Sequence, residues 1–123
     1  MNILVVEDNK PVSMLICRVV EELGCSYILA ADGEAAMKLF EQRQVKAMVV
    51  DVELPGLDGF QVAQGIREQA GPGFPILFIS GNTGEAYRQQ ARDAGADEFL
   101  PKPLRPGHLK DTLRRLLPQP SLS

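Results

Sequence analysis

The 123-residue chain carries 13 Lys and Arg against 16 Asp and Glu, a formal net charge of −3, with 45% hydrophobic and 24% charged residues. That length fits one domain held by its own core, and the composition is that of a globular protein rather than a disordered one. The acidic balance speaks against a dedicated nucleic-acid binder, the two cysteines against a disulfide framework or zinc site, and the lack of an 18-residue apolar run against a signal peptide or membrane span.

Short apolar runs alternate with helical patterns along the chain. Ile3–Val6 reads as a first strand. From Pro11 to Leu23, apolar residues at 12, 15, 16, 19, 20 and 23 keep helical spacing, and Gly24 stops the helix. Ser26–Ala31 is a second strand. Asp32 is placed to cap a helix reaching about Gln42. Ala47–Val50 is a third strand, followed by a loop with Pro55, Gly56 and Gly59. Asp58 and Gln61 have capping-box spacing for a third helix to about Gln69. Ile76–Ile79 is a fourth strand. Asn82 and Glu85 repeat the capping-box spacing before a helix to Ala94, which Gly95 ends. Glu98–Leu100 is a fifth strand, and Pro106 opens a last helix with Leu109, Leu113, Leu116 and Leu117 on its apolar face. Residues 118–123 read as a flexible tail or the start of a linker, leaving 1–117 as the domain.

Alternating strands and helices with continuous apolar strand runs predict an α/β fold: a doubly wound parallel sheet covered on both faces. Such sheets bind ligands beyond the carboxyl ends of their strands. Glu7 and Asp8 follow the first strand, Asp51 the third with Glu53 two residues on, Ser80 the fourth and Lys102 the fifth. If the first and third strands are neighbours, Glu7, Asp8 and Asp51 converge and repel, which a hard cation such as Mg2+ relieves. The cation and Lys102 would favour an incoming phosphoryl group, a carboxylate can attack phosphorus, and Ser80 can donate a hydrogen bond to a phosphoryl oxygen.

Glu7-Asp8, Asp51-x-x-Leu54-Pro55-x-x-Asp58-Gly59, Ser80-Gly81 and Phe99-Leu100-Pro101-Lys102-Pro103 together resemble the receiver domain of two-component response regulators over about residues 2–117. The resemblance implies a flavodoxin-like five-stranded sheet in the order 2-1-3-4-5 with five helices. It implies that Asp51 is the phosphoacceptor for a histidine kinase or a histidine phosphotransfer protein. Glu7, Asp8, Asp51 and the backbone carbonyl of Glu53 would hold Mg2+, with Ser80 and Lys102 on the phosphoryl oxygens. Ser80 and Phe99 would form the switch that alters the surface of the fourth helix, fifth strand and fifth helix. That surface would meet an output domain or partner protein, or a second copy in a homodimer on phosphorylation. A cis Lys102–Pro103 bond is also implied, and a cytoplasmic protein without direct nucleic-acid or membrane contact. Such a domain is not an enzyme beyond its own phosphorylation and autodephosphorylation.

Several positions depart from the common pattern. Glu7 stands where Asp is commoner, Phe99 lacks a phenolic hydroxyl, and Arg105 precedes the last helix, where arginine neither caps nor suits the helix dipole. Glu53 and Asn82 are expected to flank the phosphoryl group. The single histidine, His108, is expected at the surface far from the site, and Cys17 and Cys25 as unreactive, reduced thiols. The weighed alternatives are a haloacid dehalogenase-type phosphatase on Asp51-x-Glu53, which would want Asp-x-Asp near the N-terminus, a flavodoxin-like nucleotide module, in which Glu7-Asp8 would repel phosphate, and a phosphate-independent pseudo-receiver. The basic excess after residue 98 sets Arg105, Lys110, Arg114 and Arg115 along the last helix, where a partner is expected.

Overall fold

A computed structural model describes residues 1–82 and 84–117; the expected tail, 118–123, lies outside the described residues. Five strands, β1 (Asn2–Val6), β2 (Ser26–Ala30), β3 (Ala47–Asp51), β4 (Ile76–Ser80) and β5 (Glu98–Pro101), form one parallel sheet in the order 2-1-3-4-5. Five helices, α1 (Lys10–Glu22), α2 (Gly33–Gln42), α3 (Gly59–Ala70), α4 (Glu85–Asp93) and α5 (Pro106–Leu116), alternate with them. The expected fold is therefore the observed one.

The two faces of the sheet carry separate cores, because successive strand residues point to opposite sides. Ile3, Val5, Val49, Leu77 and Ile79 pack against α1 and α5 through Ile16, Val20, Leu109 and Leu113. Leu4, Val6, Met48, Val50, Ile76 and Phe78 pack against α2, α3 and α4 through Ala36, Val62, Ile66 and Ala91. β3 and β4 are buried along their whole length, which accounts for their unbroken apolar sequences.

Local chemistry sets the helix starts. Asn9 Oδ1 accepts from Val12 N–H at 3.0 Å, and Asp32 Oδ1 from Ala35 N–H at 2.8 Å. The capping box of α3 is complete: Asp58 Oδ1 accepts from Gln61 N–H at 2.9 Å and Gln61 Oε1 from Asp58 N–H at 3.0 Å. α4 differs from its sequence reading. Asn82 does not cap it; its Oδ1 accepts from Gly84 N–H at 3.0 Å, and the helix opens at Glu85 with no side-chain cap. Asn favours such local turn bonds, so the spacing mimics a capping box without making one. α5 also lacks a side-chain cap at Arg105, as expected.

Candidate functional site

The parallel register builds the site. Val6 pairs with Val50, so Glu7 emerges beside Asp51; Asp51 pairs with Ile79, and Ser80 with Pro101, one residue before Lys102. Lys102 N–H donates to Ser80 O at 2.8 Å, tying the two loops together. The Lys102–Pro103 bond is cis. α3 approaches closely: Gly59 N–H donates to Val52 O at 3.0 Å, and a Cβ on Gly59 would collide with the Asp51 carbonyl oxygen and lie 2.8 Å from Val52 Cα. Glycine is thus required there by contact with the backbone of the strand end, which gives the Asp58-Gly59 motif a physical reason.

All the candidate site side chains except Phe99 meet at this end of the sheet. One oxygen each from Glu7, Asp8 and Asp51 lies within 4.8 Å of the others. Glu7 and Asp51 are buried at 2% and 1% exposure, whereas Asp8 is exposed. Lys102 Nζ donates to Asp51 Oδ2 at 2.9 Å and lies 3.0 Å from Glu7 Oε1. The second contact is an ion pair only, since Glu7 Oε1 is buried without a hydrogen bond. Asp51 Oδ1 accepts from the backbone N–H of Glu53 at 3.1 Å.

Charge is under-neutralised here. Burial first, then the Glu7 carboxyl beside it, pushes the Asp51 carboxyl up to about 7 despite Lys102. Burial opposes the Lys102 ammonium too, but its contacts with Asp51 and Glu7 outweigh that and hold its pKa above the usual lysine value. The donor set fits Mg2+: three carboxylates crowded on one face, with one buried oxygen lacking a hydrogen bond, are the hard oxygen ligands that such a cation takes.

Ser80 is fully buried and donates its hydroxyl to Glu53 Oε1 at 2.6 Å, while Asn82 N–H donates to Ser80 Oγ at 2.9 Å. Gly81 N–H reaches Glu53 Oε2 at 3.4 Å. Burial opposes the charge on Glu53, but the Ser80 bond and its other hydrogen bonds hold its carboxyl below the usual range. Asn82 meets Ser80 through its backbone, its side chain being engaged with Gly84. Phe99 is half-buried on β5, paired in register with Phe78, and the Arg88 guanidinium lies 5.5 Å from its ring centroid.

Three contacts were not foreseen from sequence: Lys102 with Glu7, Ser80 with Glu53, and, at the opposite end of the sheet, Arg67 with the carbonyls of Phe74 and Gly95. His108 is exposed, as expected, and lines with Lys102, Pro103 and Arg105 a cavity of about 260 Å3. Cys17 is buried, and burial followed by the Glu21 charge pushes its thiol up to about 11, consistent with an inert residue. Along α5, Lys110 pairs with Glu22 at 3.5 Å, Arg114 with Asp111 at 3.3 Å and Arg115 with Glu98 at 3.6 Å. Among the described residues no helix is long and apolar enough to cross a membrane.

The response regulator receiver domain family matches residues 3–114. Response regulator MprA of Mycobacterium avium is 37% identical over 117 residues, covering 95% of this chain and 51% of the relative. Transcriptional regulatory protein TctD of Salmonella typhimurium is 32% identical over 117 residues, covering 95% and 52%. The chain spans about half the length of the curated relatives it matches. Among solved structures, the chemotaxis response regulator CheY4 of Vibrio cholerae superimposes with a TM-score of 0.87 at 27% identity, covering 94% of this chain and 98% of that one. NtrX from Brucella abortus superimposes at 0.86 with 28% identity, covering 94% of this chain but 26% of its own. Fold, strand-end chemistry and sequence agree: the chain belongs to the response regulator receiver domain family.

Proposed function

We propose that the chain is a phosphorylation switch in which Asp51 accepts a phosphoryl group from a phosphohistidine of a histidine kinase or phosphotransfer protein. The observation that carries this reading is the convergence of Asp51 with Glu7, Asp8 and Lys102: carboxylate oxygens within 4.8 Å and an ammonium at 2.9 Å. Glu7, Asp8, Asp51 and the backbone carbonyl of Glu53 would hold Mg2+. When bound, the cation neutralises the crowded carboxylates and the charge of the incoming phosphoryl oxygens.

In the transfer, an Asp51 carboxylate oxygen forms a bond to phosphorus as the bond from phosphorus to the donor imidazole nitrogen breaks. The electron pair stays on that nitrogen. Lys102, already against Asp51, stabilises the oxygens of the transferred group, and Ser80 offers them a hydroxyl. The contact between Ser80 and the new anion, together with Phe99 on the adjoining strand, alters the surface formed by α4, β5 and α5. That surface serves an output domain, a partner protein or a second copy. Residues 1–117 form the receiver and 118–123 a tail or linker, in a cytoplasmic protein whose chemistry is confined to its own phosphorylation and dephosphorylation. The match over residues 3–114 leaves the haloacid dehalogenase-type alternative without support.

The test is incubation with Mg2+ and acetyl phosphate, read by intact mass. One phosphoryl group is expected on the wild-type chain and none on Asp51→Asn. Full labelling of Asp51→Asn, or no labelling of the wild type, overturns the assignment.

A further inference from the structure

We infer that the Glu53 carboxylate is a built-in competitor of the phosphoryl group, occupying the anion-binding notch formed by the Ser80 hydroxyl and the Gly81 N–H. This rests on the phosphoacceptor role of Asp51 and adds to it a residue that acts through Ser80. Three observations carry it. First, both Glu53 oxygens are used, one by Ser80 Oγ at 2.6 Å and the other by Gly81 N–H at 3.4 Å, so two donors from the end of β4 converge on one anion. Second, Ser80 is fully buried and its oxygen already accepts from Asn82 N–H at 2.9 Å, which leaves the hydroxyl proton to be donated, and Glu53 takes it. Third, the Glu53 backbone N–H donates to Asp51 Oδ1 at 3.1 Å. The backbone of Glu53 is therefore tied to the Asp51 carboxylate, and the notch that its side chain fills belongs to the same strand-end site.

A planar carboxylate and a tetrahedral phosphoryl group can each accept from both donors, and one hydroxyl proton cannot serve both at once. Phosphorylation must displace Glu53. The side chain is exposed on its outer side, so it can swing into water without being stranded in the core. In the unmodified chain Ser80 is consequently already turned toward an anion, and phosphorylation exchanges one anionic partner for another.

The experiment measures the affinity of beryllofluoride, a phosphoryl analogue, for the Mg2+-loaded chain. It compares wild type, Glu53→Gln and Glu53→Asp, each also combined with Ser80→Ala. Losing one charge-assisted competitor is expected to tighten beryllofluoride binding about tenfold in Glu53→Gln. Glu53→Asp keeps the charge but is one methylene shorter, and most of the gain is expected there as well. In the Ser80→Ala background most of the gain is expected to vanish, because the nearer of the two contested donors is gone. A gain in Glu53→Gln absent from Glu53→Asp, or one that persists in full without the Ser80 hydroxyl, would make Glu53 a distant repelling charge and overturn the inference. No gain in either variant overturns it too. Acetyl phosphate labelling of the wild type separates the two readings: if it fails, both fall; if it succeeds while the variants match wild type, only the role of Glu53 falls.

Discussion

The two ends of the sheet each gather polar groups around one half-buried cation, with opposite outcomes. At the amino end, the Arg67 guanidinium donates to Phe74 O at 2.6 Å, Gly71 O at 2.9 Å and Gly95 O at 2.5 Å, and pairs with Asp97 at 3.2 Å. Asp97 also accepts from Ile76 N–H at 2.8 Å, so α3, β4 and the turn before β5 are joined by groups that satisfy one another. At the carboxyl end, Lys102 faces two buried carboxylates, one Glu7 oxygen has no hydrogen bond, and the Asp51 carboxyl is pushed up to about 7. The first cluster is closed and structural. The second is left short of positive charge, which suits the proposed uptake of a cation and a phosphoryl group and costs stability while neither is bound.

Four measurements break or sharpen this contrast. The largest effect is expected at the closed end: Arg67→Met leaves three carbonyls without their donor, and a loss of about 3 kcal/mol in urea unfolding is expected, with acetyl phosphate labelling retained. A loss below about 1 kcal/mol would remove the distinction between the ends. The opposite sign is expected at the open end. Without Mg2+ at neutral pH, Asp51→Asn removes a crowded charge and is expected to stabilise the fold by about 2 kcal/mol, and an unchanged or lower stability would contradict the crowding.

The third is pH. Because the folded Asp51 carboxyl titrates near 7, above the ordinary 3.8, folding favours its protonated form. Its contribution therefore falls as pH rises between these values and stays low above about 7. Glu53, shifted the other way, is ionised in both states above about pH 5, and the Lys102 shift acts only in the alkaline range. Metal-free protein is thus expected to lose about 1.5 kcal/mol between about pH 5.5 and 7.5, and Asp51→Asn to lose none of it. A flat wild-type profile would count against a strained Asp51. The smallest effect is at the start of α5: Arg105→Asp supplies a cap and a favourable dipole charge, worth about 0.7 kcal/mol by thermal unfolding, and a destabilised variant would show that Arg105 holds that turn by other means.

What was legible in the sequence was what depends on near neighbours or on period. Asp32 and Asp58 cap helices three residues away, and the unbroken apolar runs of β3 and β4 report strands buried on both faces. The strand-end rule then gathers Glu7, Asp8, Asp51, Ser80 and Lys102 from their places in the sequence alone. Contacts set by tertiary approach carried no such signal. Arg67 reads as an ordinary residue in the last turn of α3, yet it bonds Gly95, 28 residues on. Glu53 and Ser80 are 27 residues apart, and only the register of β3 with β4 brings them together. At α4 a local rule misled, since Asn82 has two uses for its oxygen and the turn to Gly84 won.

The close approach of Gly59 to the end of β3 has a consequence for how this chain can change. Position 59 is a one-letter alphabet: any side chain would push the start of α3 off the Asp51 carbonyl, so a mutational walk that varies every other loop residue still meets a fixed point there. Repositioning Asp51 along the strand would mean moving that glycine with it, since the two positions, eight residues apart in sequence, touch in space.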